Sequence, residues 1–219
     1  AWFTLLLIFE LETYLLDESG WTPRAARIVV MIKLITFFLI GHTLYVNLLA
    51  LMEILGPVAP SAASDLCDLA DTGRSWLFNL DYTSITAQTC DALPRTDQYW
   101  EIPNEPVVTS TAGLELARTL AWCDFMETAA WLSVGAAMEV AIRITDRGVT
   151  SGFVVTALSW LKFGLYALIL ALGVYWAYCG HWVYLWDEVL WIFGFAFLEL
   201  NLDGWRGEID NAEHDSVKG

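Results

Sequence analysis

Asp124 and Glu127 stand three residues apart inside Gly113–Ile142, a mostly apolar run. At the 100° step of an α-helix they fall on one face with Trp131, Gly135 and Met138, about one turn from each other. Two carboxylates that close in a low dielectric share a proton or hold a cation, because like charges there repel strongly. A second acidic pair, Asp187 and Glu188, interrupts the apolar run Trp182–Leu200, where Glu188 lines up with Trp191, Phe195 and Glu199. Lys162 interrupts a third run, Val149–Tyr178, and is the expected counter-ion of Asp124 or Asp187. From Ile28–Leu55, His42, Asn47 and Glu53 are further polar candidates, and Glu10, Glu12, Lys33, Glu139, Glu199 and Asn201 are expected to form a second, inner layer.

Three uses of such residues compete. They can be buried ion pairs that fix helix register, a wetted ion path, or a hard-cation site built on Asp124 and Glu127 with Asp187 and Glu188 as further oxygen ligands. A transition-metal centre wants more His or Cys together than this chain supplies. A bis-His haem is not expected, because His42 and His181 are poorly matched in depth and His214 lies in the tail. A bound cation is the one cofactor the pattern suggests. Ser133 and Ser159 lack a His partner, and no Gly-rich phosphate motif occurs, so the enzyme reading is weak.

The elements that must position these groups follow from hydropathy. Hydrophobic residues make up 57% of the 219, above the roughly 45–50% of soluble domains, and the excess comes in blocks. Four of them, Ile28–Leu55, Gly113–Ile142, Val149–Tyr178 and Trp182–Leu200, reach the length of about 20 residues that a membrane span needs. Ala1–Leu16 is shorter and carries Glu10 and Glu12. It is either a fifth span or an amphipathic helix at the interface. The predicted fold is an all-α integral membrane protein, a bundle of four or five transmembrane helices with a disulfide-containing outer loop. The chain divides into an N-terminal membrane segment (1–55), an acidic extracytoplasmic loop (56–112), a three-helix membrane segment (113–202) and an acidic tail (203–219).

Arg24 and Arg27 in the first connection, and Arg143 and Arg147 in the third, put both connections on the cytoplasmic side of a plasma or inner membrane. The 56–112 loop is then outside and the C-terminus cytoplasmic. Cys67 and Cys90 both fall in that loop, where an oxidising compartment permits a disulfide. Its five prolines predict little regular structure, or a short hairpin. Glu115 and Arg118, one helical turn apart, are expected to pair, and the tail is expected to be flexible or ordered by a partner. Of the twelve Trp, Trp2, Trp21, Trp100, Trp182, Trp186 and Trp205 fit an aromatic belt at span ends. Trp122, Trp131, Trp160, Trp176 and Trp191 read as packing and lipid contact.

A four-span pattern with a Cys pair in a large first outer loop superficially resembles claudin-like proteins. The tryptophan signature those proteins carry before the Cys pair is missing here, and no residue role is carried over. The net charge of −15 excludes nucleic-acid binding as the main task. The expected partners are the lipid bilayer and either further copies of the chain or other membrane subunits. The expected function is a cation channel or transporter subunit, working as an oligomer through the carboxylate layer. The alternative is a non-catalytic subunit of a larger membrane complex, its charges pairing with partner helices.

Overall fold

A computed structural model describes residues 1–15 and 22–218, with side chains for 1–13 and 22–212. Trp21 lies outside the described residues, as does the side chain of His214. The chain is mostly helical and forms two compact units, one from residues 1–44 and 127–219, the other from 45–126, with two long helices contributing to both.

Among the described residues there are five α-helices: α1 (Trp2–Glu10), continued by a π-helical turn at Leu11–Leu15, α2 (Pro23–Leu55), α3 (Thr111–Asp146), α4 (Phe153–Tyr178) and α5 (Trp182–Lys218). Their ends have local causes. Thr22 caps α2 by accepting from the Ala25 amide at 3.2 Å, ahead of Pro23, whose missing N–H costs nothing in a first turn. Ser110 Oγ caps α3 by accepting from the Gly113 amide at 3.0 Å. Gly148 ends α3 at φ 78°, where the amides of Gly148 and Val149 close back on the carbonyls of Thr145 and Ile144. Gly180 ends α4 the same way, so that a short turn reverses the chain into α5 and makes a helical hairpin.

In the first unit, α3 buries Ala130, Trp131, Val134, Met138, Ala141 and Ile142, the stripe a 3.6-residue repeat predicts. Leu5 and Phe9 of α1, Ile40 of α2, Ile169 of α4, and Phe195, Leu198 and Leu202 of α5 complete that core. α5 does not stop at residue 202. It continues as helix through the acidic tail to Lys218, where a segment flexible or ordered by a partner is expected from the sequence. Arg206, 7% exposed, explains part of this: it donates to Thr145 Oγ1 at 3.1 Å and pairs with Asp203 at 3.1 Å. Thr150 Oγ1 further donates to Asp210 at 2.6 Å.

The second unit corrects the all-α reading. The loop expected to hold little regular structure, or a short hairpin, holds a five-stranded sheet that includes such a hairpin: β1 (Ala59–Pro60), β2 (Ser75–Phe78), β3 (Asp81–Ser84), β4 (Tyr99–Glu101) and β5 (Val107–Ser110), in the order β1-β4-β5-β2-β3. All neighbours are antiparallel except β2 and β5. The β2–β3 hairpin turns on Asn79 and Leu80 at φ 53° and 67°, the left-handed pair that matches strand twist. Trp76, Tyr99, Ile85, Leu66 and Val108 form the core beneath it. The Cys67–Cys90 disulfide is present and ties two 3-10 turns, Leu66–Leu69 and Cys90–Ala92. Closing a loop of this length contributes roughly 3 kcal/mol in the chain-entropy treatment. Arg118 does not hold Glu115. It donates to the carbonyls of Ile54, at 3.0 Å, and Gly56, at 3.4 Å, where α2 ends.

Candidate ion-binding site

Glu188 is 3% exposed, although nothing cationic touches it among the described residues. Its Oε2 accepts a hydrogen bond from Trp131 Nε1 at 2.7 Å, and the Glu127 carboxyl comes within hydrogen-bonding reach of it. Glu127 sits one turn before Trp131 on α3, and its own Oε2 accepts from Trp176 Nε1 of α4 at 3.1 Å. Two carboxyl groups from different helices thus face each other, each held by one indole N–H. A cavity of about 80 Å³ opens beside them, lined by both acids with Asp187, Trp2, Trp131, Trp191 and Phe195. That volume takes a few water molecules or a small ion.

Local packing explains the placement. Trp131 is braced by Trp2 and Phe195, with ring centroids at 5.9 and 5.5 Å. Trp176, 1% exposed, stacks on Tyr184 at 4.8 Å and meets the His181 ring edge-on at 5.7 Å, so the α4–α5 turn orients its N–H. Gly173 lets α5 come close: a Cβ there would lie 3.2 Å from Leu185 Cδ1 and 3.4 Å from Glu188 Cγ.

Of the expected acidic layer, then, Glu127, Asp187 and Glu188 come together. Asp124 is exposed and is not among the residues lining the cavity. Lys162 does not serve these acids as counter-ion. Buried at 2% exposure, it pairs with Glu199 at 2.5 Å. Glu53, expected in the layer, accepts from Asn104 Nδ2 in the sheet-bearing unit. His42 is exposed and Asn47 half-buried on α2, and neither lines the cavity. Among the described residues the group of three potential metal ligands within 4.8 Å of one another is Cys67, Cys90 and Asp91, and both sulfurs are spent in the disulfide. Asp124 and Glu127 belong to no such group.

The inner polar residues pair among themselves. Lys33, 6% exposed, bridges Glu12 and, at 2.6 Å, Glu139, and Glu139 also binds Arg143 Nε at 2.6 Å. Asn201 donates to Glu10 at 2.9 Å. The residues that sequence reasoning undervalued are Trp131 and Trp176, assigned to packing. For Trp131 the signal was its position four residues after Glu127, on the same helix face.

Comparison of the chain with models of known protein families, with curated proteins and with solved structures finds no match.

Proposed function

We propose that this chain is an integral membrane protein that moves a cation across the bilayer, with the Glu127–Glu188 pair as the ion-binding element, and that it works as one subunit of an oligomer. The observation that carries the reading is that pair. Glu188 is buried and Glu127 half-buried, Asp187 lines the same cavity, and each of the two paired acids is satisfied by a neutral indole donor. Two acids in this setting hold one positive charge between them, a proton or a small cation, and can give it up on either side of the helix layer.

Membrane placement is supported by α2, α3 and α4, three helices long and apolar enough to cross a bilayer. The apolar side chains they present outward agree: Phe38 is 71% exposed, and Phe153, Trp160 and Phe163 of α4 are exposed likewise. In this reading the Trp182–Leu200 part of α5 is the fourth span, with Glu188 turned inward. The helical stretch Trp2–Leu15 is about 20 Å long at 1.5 Å per residue, short of a core of about 30 Å, and lies partly inserted. The disulfide-bearing unit faces outside and the end of α5 the cytoplasm.

The pairing of Lys33, Lys162 and Glu10 within the chain favours this over an accessory subunit whose charges are spent on partner helices. Cation flux into liposomes holding the purified chain tests it. Flux that Glu127→Gln/Glu188→Gln abolishes, with folding and oligomer size retained, supports the proposal, and its persistence in that variant refutes it.

A further inference from the structure

A second, larger cavity, about 510 Å³, opens in the same unit between α2, α3 and α5, within the range of about 300–1,000 Å³ typical of small-molecule sites. Six charged residues line it, three of each sign: Lys33, Arg143 and Arg147 against Glu12, Glu139 and Asp146. The floor is self-neutralised, since Lys33 bridges Glu12 and Glu139 and Arg143 closes on Glu139. The mouth is not. Asp146 and Arg147 have no ion-pair partner among the described residues. Among the described residues Arg143, its side chain 61% exposed, binds Glu139 through Nε alone, so its terminal N–H groups can take an anion.

We propose that this cavity binds the headgroup of a zwitterionic phospholipid bearing a primary amine, a phosphoethanolamine lipid. Its phosphate lies on Arg143 and Arg147, and its ammonium on Asp146. The charge pattern selects it: a purely anionic headgroup meets Asp146 unfavourably, and a quaternary ammonium offers that carboxylate no N–H. The walls fit an amphiphile too. Trp205 supplies an interfacial ring, and from Val30 at the mouth the exposed Leu34 follows one turn along α2, the start of a track for an acyl chain. The proposal depends on the membrane location argued above and not on cation transport, so it can fail while the flux proposal stands.

The test is binding of phosphatidylethanolamine, phosphatidylcholine and phosphatidylglycerol, matched in chain length, to the full chain in detergent, read by native mass spectrometry. Soluble glycerophosphoethanolamine is run alongside. The ethanolamine lipid is expected to bind about fivefold tighter than the glycerol lipid. Asp146→Asn should erase that preference and Asp146→Glu keep it, while Arg147→Gln should weaken all three lipids. Both residues are exposed, so these variants keep the fold. Equal or tighter binding of phosphatidylglycerol, or a preference that survives Asp146→Asn, overturns the proposal. Equal binding of the soluble headgroup overturns the lipid as its source.

Discussion

Trp131 of α3 donates its indole N–H to Glu188 of α5 across 2.7 Å, and the acid it holds is 3% exposed. Trp131→Phe keeps an aromatic ring in the core and removes the donor. It should cost about 1–3 kcal/mol, the penalty for stripping a partner from a buried polar group. Thermal unfolding in detergent measures it. An unchanged midpoint would mean that Glu188 finds another donor.

Gly173 and Gly164 lie on one helix but in different surroundings. A methyl at 173 meets α5 at 3.2–3.4 Å, whereas one at 164 meets nothing within 4 Å. Gly173→Ala should therefore destabilise by about 1–3 kcal/mol and displace Glu188, lowering flux. Gly164→Ala should be neutral or stabilising by up to about 1 kcal/mol through helix propensity. Comparing the two in the same flux and unfolding assays separates helix approach from a generic effect of substitution.

Buried Lys162 and half-buried Glu199 form a pair that the flux proposal treats as structural. Removing one partner, as in Lys162→Met, should cost about 3–5 kcal/mol by stranding the other charge. Lys162→Met/Glu199→Leu should recover most of that loss, because an apolar pair replaces a desolvated ionic one. A double-mutant cycle in chemical denaturation reads the coupling. If the two losses simply add, the pair does not act as a unit.

In the sheet-bearing unit Arg74 donates to Glu101 at 2.6 Å and holds its carboxyl below the usual value of 4.5. A carboxyl lowered on folding stabilises the fold at pH above its unfolded value, and that contribution fades as pH falls through its folded value. The acid limb of stability, from about pH 4.5 downward, should thus be shallower in Glu101→Gln. An unchanged slope would assign acid sensitivity to other groups.

The helices were legible because apolar blocks long enough to cross a bilayer are rare outside membrane spans, and Glu127 and Glu188 because acids stand out within them. The partner of Lys162 was not. Depth counted along separate helices does not fix their relative tilt and offset, and Glu199, about three turns beyond Asp187 on α5, takes the pairing. Asp124 and Glu127, three residues apart, differ by about 60° around the helix, which is enough to leave Asp124 exposed while Glu127 is half-buried. The sheet was illegible because its strands run two to four residues, too short for alternation to register, and the β2–β5 pairing joins segments more than 20 residues apart.

The central claim is that Glu188, paired with Glu127, carries the ion. The most direct measurement is cation flux into proteoliposomes for wild type, Glu188→Gln and Asp124→Asn, each matched for oligomer size and unfolding midpoint. The account predicts that Glu188→Gln loses flux while Asp124→Asn, exposed and off the cavity, retains most of it. Flux preserved in Glu188→Gln, or lost only in Asp124→Asn, would contradict it.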